Sequence, residues 1–250
     1  MSLLLVAHGT RKQSGVSLIG DLAATVSDAV DQPVHVAFVD VLGPTPGELL
    51  AATLDRPTVL VPAFLAHGYH VTSDIPAHVQ ASGHRDVTVT RALGPDPELI
   101  RVLVDRLIEC GWRPGDSVIL AAAGTSDPAA MRDLHTTATW LSAMVGSRVE
   151  LAFAATGEPR VADAVAAARA RGGRVVVASY LLSEGLFQDR LRDSGADLVT
   201  DPLGTHPRVA RLITNRFVRA GVPGAITRRN GIPRGLQATF RAWNTVSAKG

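Results

Sequence analysis

Histidine side chains follow two apolar runs in the first half of the sequence. One run covers residues 3–7 and is followed directly by His8. Another covers residues 58–64 and is followed by His67 and His70. In an open parallel sheet, ligands bind beyond the carboxyl ends of the strands, so these imidazoles are expected at one cleft. Imidazole nitrogens bind borderline divalent metals such as iron, cobalt and nickel, and they accept protons near neutral pH. The spacing therefore predicts metal or proton-transfer chemistry.

Asp40 follows the second apolar run and would add a carboxylate to the same cleft. His8 ends a buried strand beside Gly9, a residue that allows a sharp turn, so a functional role is favoured for it. His67 is the weakest of the three candidates, because a single histidine in a loop is usually a polar surface residue. The remaining histidines are predicted to be structural or solvent-exposed; they are His35, His78, His84, His135 and His206.

Short β-branched runs alternate with helical patterns along the whole chain. In the first half we predict strands at 3–7, 34–39, 58–64 and 87–90, and helices at 14–30, from Pro46, at 75–81 and at 97–110. The turn-rich segment 111–116 reads as a linker. Strands separated by helices predict parallel sheets with right-handed crossovers.

The second half of the sequence repeats the first. The matched segments are VAHGT at 6–10 with AAAGT at 121–125, VAF at 36–38 with LAF at 151–153, VLV at 59–61 with VVV at 175–177, and ALGPDP at 92–97 with PLGTHP at 202–207. The predicted fold is α/β, with two tandem doubly wound domains that arose by internal duplication and face each other. We place the first unit at 1–113, the second at 114–224, and a basic extension at 225–250.

The repeat also indicates which half carries the chemistry. Ala123 stands where His8 stands, and Phe187 stands where His70 stands. If both histidines served only the fold, the second copy would have no evident reason to replace them with apolar side chains. We therefore predict one active half, with the second half as an apolar wall over the cleft.

The composition is that of an ordinary globular protein, with 46% hydrophobic residues and a formal net charge of +2 over 250 residues. The single cysteine, Cys110, rules out an intramolecular disulfide, a Cys-rich zinc site and a cysteine-held iron–sulfur cluster. The amino terminus has no signal-peptide pattern and no apolar stretch is long enough to span a membrane, so a cytoplasmic location is expected.

Nucleotides and nucleic acids are not expected as ligands. No Walker A loop or Gly-x-Gly-x-x-Gly motif follows the first strand. Aromatic residues make up only 4% of the chain, whereas nucleic-acid binders usually combine aromatic side chains with a basic face. The basic residues of the extension read as a solvated or loosely docked tail; they are Arg228, Arg229, Arg234, Arg241 and Lys249.

Three segments resemble the sirohydrochlorin chelatase family, the ATP-independent class II chelatases, in its long two-unit form. They are HGTR at 8–11, FVD at 38–40 and, most specifically, VPAFLAHGYHVTSDIP at 61–76. The resemblance implies a chelatase-like fold and the insertion of Fe²⁺ or Co²⁺ into sirohydrochlorin, in sirohaem or cobalamin biosynthesis. The metal is then a substrate, and neither a nucleotide nor an iron–sulfur cluster is required.

The resemblance further implies that His8 and His70 hold the metal and handle the pyrrole protons. Asp40 stands where the family often has glutamate and is expected to assist catalysis, whereas Gly43 replaces a further family glutamate. Sirohydrochlorin carries eight carboxylates that need cationic and hydroxyl partners. The residues expected to bind it are Thr10, Arg11, Lys12, Ser14 and Tyr69.

Two other functions stay open at this point. A histidine phosphatase also begins with a strand followed by His-Gly, but it needs an arginine before the histidine, where this sequence has Ala7. A metal-binding chaperone or tetrapyrrole carrier would bind without turnover. Because the two halves supply both walls of the cleft, we expect a monomer.

Overall fold

The computed structural model describes residues 1–10 and 12–224, in which eight strands and eight α-helices alternate. The strands are β1 Ser2–Ala7, β2 Val34–Phe38, β3 Thr58–Pro62, β4 Val87–Val89, β5 Ser117–Gly124, β6 Glu150–Thr156, β7 Val175–Tyr180 and β8 Leu198–Val199. The helices are α1 Gln13–Val30, α2 Pro46–Ala51, α3 Ile75–Ser82, α4 Pro97–Glu109, α5 Pro128–Val145, α6 Val161–Ala170, α7 Leu186–Arg192 and α8 Pro207–Arg219. A π-helical turn, His70–Asp74, precedes α3. None of the described helices is long and apolar enough to cross a membrane. The extension proposed at 225–250 lies outside the described residues.

The strands form two parallel sheets with the same strand order. The first sheet has the order β2-β1-β3-β4 and the second β6-β5-β7-β8. The predicted α/β class, parallel sheets and internal duplication are confirmed. One detail of the predicted repeat is wrong. Val59 pairs with Leu3 in the first sheet, and Val176 pairs with Val118, the counterpart of Leu3, in the second. The counterpart of Val59 is therefore Val176 and not Val175.

Alternating side chains of each central strand point into different layers. Leu3 and Leu5 of β1 enter a core that is shared with the second half, whereas Leu4 and Val6 enter a smaller core under α2 and α3. The second sheet does the same, with a separate cluster under α6 and α7. Because strand side chains alternate between faces, both sheets are buried on both sides. The layer between the sheets consists of α1, α4, α5 and α8.

The last helix of each half packs on the sheet of the other half. Helix α4 lies against α5 and β7, and α8 lies against α1 and β3. Helix α8 buries Leu212, Ile213 and Phe217, and its buried Arg216 donates to Asp96 of the first half at 3.0 Å. The two predicted units are therefore interlocked, which the sequence pattern did not indicate.

Candidate active site

His8 and His70 meet at the carboxyl edge of the first sheet. Their ring centroids lie 4.6 Å apart, and the rings are nearly perpendicular. His8 follows β1 directly, and His70 begins the π-helical turn before α3. The two imidazoles lie together, as the sequence predicts. Their catalytic roles remain a prediction.

Both rings direct their Nδ1 atoms into hydrogen bonds. His8 Nδ1 lies 3.1 Å from the carbonyl oxygen of Gly9, and His70 Nδ1 lies 2.5 Å from Oδ2 of Asp74. Carbonyl and carboxylate oxygens only accept hydrogen bonds, so each Nδ1 carries the proton. The lone pair of a neutral ring then lies on Nε2, where it can bind a metal or accept a proton. A carboxylate behind a metal-binding imidazole is a recurrent arrangement that fixes the orientation of the ring.

Gly9 sets the position of His8. Its φ is +98°, and a β-carbon there would lie 2.1 Å from the carbonyl oxygen of Asp40. The backbone N–H of Asp40 donates to the carbonyl of His8 at 3.0 Å. Gly124, the last residue of β5, repeats this geometry with a φ of +117° and a β-carbon position 1.9 Å from the oxygen of Thr156. Each first strand thus ends in a turn that only glycine fits.

Asp40 uses its carboxylate locally. Its Oδ1 accepts from the backbone N–H of Val41 at 2.7 Å, and Val41 has a positive φ of 68°. The Asp40 side chain is exposed and is not among the residues that line the cavity described below. Its backbone supports His8, while the catalytic role of its carboxylate stays a prediction.

A cavity of about 520 Å³ opens between the two halves, within the size range of small-molecule sites. The first half contributes His8, Phe64, Tyr69 and His70 to its lining. Phe64 stacks on His70 with ring centroids 5.8 Å apart. The second half contributes an apolar set that includes Ala122, Ala123, Leu181, Leu182 and Phe187.

The expected apolar wall is therefore present, with Ala123 and Phe187 in the positions inferred from the repeat. The wall is not wholly apolar, because Thr125, Ser126 and Asp127 also line the cavity. These residues occupy the loop before α5, where Asp127 caps the helix by accepting from Ala129 at 2.7 Å. The sequence comparison missed them because they follow the strand rather than replace a histidine.

Of the residues expected to bind the substrate, Tyr69 lines the cavity, whereas Thr10, Lys12 and Ser14 are not among its lining residues. Tyr69 is 64% exposed. Lys12 pairs with Asp189 of the second half, with Nζ and Oδ2 2.6 Å apart, and would have to leave that partner to bind a substrate carboxylate. Thr10 accepts from the backbone of Lys12 at 3.2 Å, and Ser14 is exposed in the first turn of α1. Arg11 lies outside the described residues.

Two acidic side chains contact the histidine segment without having been assigned that role from the sequence. Asp74 is the partner of His70, a pairing that the His-x-x-x-Asp spacing could have suggested. Asp133 of α5 accepts from both the backbone N–H and Nδ1 of His67, each at 2.8 Å. No local signal links those two residues, which are 66 positions apart. Within 1–10 and 12–224, no group of three or more His, Cys, Asp or Glu side chains is arranged to hold a metal.

We expect Gly9→Ala to lower both stability and activity. The new β-carbon would meet backbone atoms in a left-handed conformation, at a cost of roughly 1–3 kcal/mol, and would displace His8 from His70. Urea unfolding and metal-binding titrations would measure the two effects. Gly20→Ala is the matched control, because nothing lies within 4 Å of a β-carbon on that residue of α1. Equal behaviour of the two variants would contradict this assignment.

The fold is that of the chelatase-like α/β proteins. SirB from Bacillus subtilis, solved with Fe³⁺, superposes with a TM-score of 0.75 at 22% identity, over 88% of this chain and 95% of that one. The profile of the CbiX family matches residues 2–110 and again residues 117–220. The chain belongs to the CbiX family, and the double match confirms the predicted two-unit form of the sirohydrochlorin chelatases.

Two relatives of assigned activity match different extents of the chain. The sirohydrochlorin ferrochelatase of Priestia megaterium is 26% identical over 235 residues, which cover 86% of this chain and 88% of that protein. The sirohydrochlorin cobaltochelatase of Methanothermobacter thermautotrophicus is 31% identical over 130 residues, 43% of this chain and 90% of that protein.

Proposed function

We propose that this chain inserts a divalent metal, Fe²⁺ or Co²⁺, into sirohydrochlorin without ATP. The observation that carries the proposal is the pair of facing imidazoles, His8 and His70, which both line the cavity and each have Nδ1 in a hydrogen bond. Membership of the CbiX family supports the substrate class. The two-unit division at 1–113 and 114–224 and the monomeric state are parts of the same proposal.

Insertion requires the metal to exchange water for pyrrole nitrogens. Two imidazoles occupy two coordination positions of an ion and leave the others for water and for the incoming macrocycle. Because ligand nitrogens lie about 2.0–2.1 Å from a metal such as zinc, two imidazole rings with centroids 4.6 Å apart would be close enough to share one ion.

Two pyrrole protons must leave as the metal–nitrogen bonds form. Each imidazole that releases the metal to the macrocycle regains a free Nε2, which can accept one of these protons. Asp74, 2.5 Å from His70, stabilises the imidazolium that results. The exposed rings of Tyr69 and Phe187 border the cavity from opposite halves and offer apolar faces to a flat macrocycle.

The metal is proposed to be iron. A site of imidazole and carboxylate groups does not separate iron from cobalt by affinity, so the donor set accepts both. Of the Priestia and Methanothermobacter relatives, the one that matches 86% of this chain is a ferrochelatase, whereas the cobaltochelatase matches 43% of it. Iron is therefore preferred because the two-unit architecture is the one shared with the iron enzyme.

We expect faster insertion of Fe²⁺ than of Co²⁺, and no change in either rate on adding Mg-ATP. The assay is anaerobic incubation of the purified chain with sirohydrochlorin and one metal at a time, followed by absorption spectroscopy. Chain-free mixtures measure spontaneous insertion. A higher rate with Co²⁺ would overturn the metal assignment alone, and a rate that rises with Mg-ATP would overturn the ATP-independent mechanism.

A further inference from the structure

We propose that the second half of the chain positions the His70 loop of the first half, through Asp133 and Tyr180. We define the His70 loop as residues 65–70, which lie between β3 and the π-helical turn and include the first residue of that turn, His70. The inference deepens the proposed function, because it assigns to the half that lacks both histidines a role in presenting one of them. Asp133 and Tyr180 are positioning residues that act through the loop.

Tyr180 fixes the start of the His70 loop. Its hydroxyl donates to the carbonyl oxygen of Leu65 at 3.0 Å, and the side chain is 2% exposed. A β-carbon on Gly94 would lie 2.1 Å from the same carbonyl oxygen and 2.5 Å from the Tyr180 hydroxyl, so the contact is tightly enclosed. Burial raises the pKa of Tyr180 far above its ordinary value, which keeps the hydroxyl protonated as a donor.

Asp133 fixes the middle of the His70 loop. One carboxylate oxygen, Oδ2, accepts from the backbone N–H and from Nδ1 of His67, each at 2.8 Å. The Asp133 side chain is 21% exposed, so the contact is sheltered from water. A part-buried hydrogen bond to a charged group is stronger than an exposed ion pair, because less water competes for its atoms. Leu65 and His67 are thus both hydrogen-bonded to residues of the second half.

His70 follows this anchored segment by three residues. Gly68 lies between His67 and His70. A β-carbon placed on Gly68 would be 3.6 Å from the β-carbon of Ala130 in α5. The loop therefore runs along α5 until it reaches the π-helical turn, where Asp74 holds the imidazole. Partners that orient the groups around a metal typically affect its affinity 10- to 100-fold when they are removed. Anchoring of this loop should act on the metal through the position of His70.

The test compares Asp133→Ala with Asp105→Ala. Asp105 of α4 also joins the halves through a carboxylate, accepting from Arg208 at 3.2 Å and lying 3.5 Å from His206, but these partners belong to the start of α8 and not to the His70 loop. Co²⁺ titrations of the full chain, followed by visible absorption, measure affinity at the histidines. Amide hydrogen exchange of residues 65–70 without metal measures the loop directly.

We expect Asp133→Ala to weaken Co²⁺ binding roughly 10-fold or more and to speed exchange in the loop, while Asp105→Ala changes neither. Asp133→Asn keeps an oxygen that can accept from His67 and should recover most of the lost affinity. Equal effects of the two alanine variants, or an Asn variant as weak as the Ala variant, would overturn the proposal. A wild-type chain that binds no Co²⁺ would instead count against the proposed function, and the exchange data would still decide the role of Asp133.

Discussion

Replacing His70 with alanine is expected to lower the rate of metal insertion by roughly 100-fold or more, the usual scale for losing a positioned acid–base group. His8→Ala should have an effect of the same order, because each ring supplies one available Nε2. Folding should survive, since both side chains lie at the cavity rather than in the core, where a large-to-small change costs roughly 2–5 kcal/mol. Initial rates per folded molecule, with thermal unfolding on the same samples, measure both quantities.

His35→Ala provides the control for the loss of a histidine. His35 is exposed on β2, an edge strand, and should be replaceable without effect on either rate or melting temperature. His67→Ala should lower the insertion rate more than His35→Ala does and less than His70→Ala does, because the backbone N–H of residue 67 can still donate to Asp133. If His8→Ala and His70→Ala both melt early but keep the wild-type rate per folded molecule, the two histidines are structural and the site lies elsewhere.

Separating the two halves is expected to abolish the folded monomeric state of the first half. A fragment of residues 1–113 lacks α8, which covers α1 and β3 in the intact chain. Leu212, Ile213 and Phe217 of α8 are each no more than 3% exposed, and burying such side chains contributes about 1.5–3 kcal/mol each. Their loss removes an amount comparable with the whole stability of a domain, about 5–15 kcal/mol.

Circular dichroism and sedimentation of the fragment test this expectation. We expect an unfolded or self-associated chain, and a second fragment of residues 114–250 added in trans should restore a cooperative transition. A fragment 1–113 that unfolds cooperatively as a monomer at micromolar concentration would show that the halves are independent domains, contrary to the interlocked packing.

The last helix of each half packs on the sheet of the other half, and a hydrophobic pattern alone does not determine such a choice of partner. The spacing of Leu212, Ile213 and Phe217 predicts an amphipathic helix with one buried face, but that face is compatible with either sheet. The alternation of strands and helices and the repeat were sufficient for the parallel sheets, because those depend on local periodicity and chain order. The register of β7 was missed by one residue, since Val175 to Val177 is a continuous apolar run with no alternation to mark its faces.

The candidate site was predictable where it depends on strand ends and not where it depends on contacts between halves. His8 and His70 follow adjacent parallel strands, so their convergence follows from topology. The pairing of Lys12 with Asp189 and of His67 with Asp133 joins residues far apart in sequence. Such pairs depend on how α5 and α7 pack across the cleft, and single polar residues give no sign of a distant partner.

The most direct test of the central claim is turnover of sirohydrochlorin. The purified chain, incubated anaerobically with an excess of sirohydrochlorin and Fe²⁺, is followed by absorption and by quantifying the metallated product per chain. We predict many equivalents of product per molecule of chain, at a rate proportional to chain concentration and far above the chain-free reaction. Product formation that stops at one equivalent, or binding of metal and macrocycle without metallation, would contradict the claim and identify a carrier on the same fold.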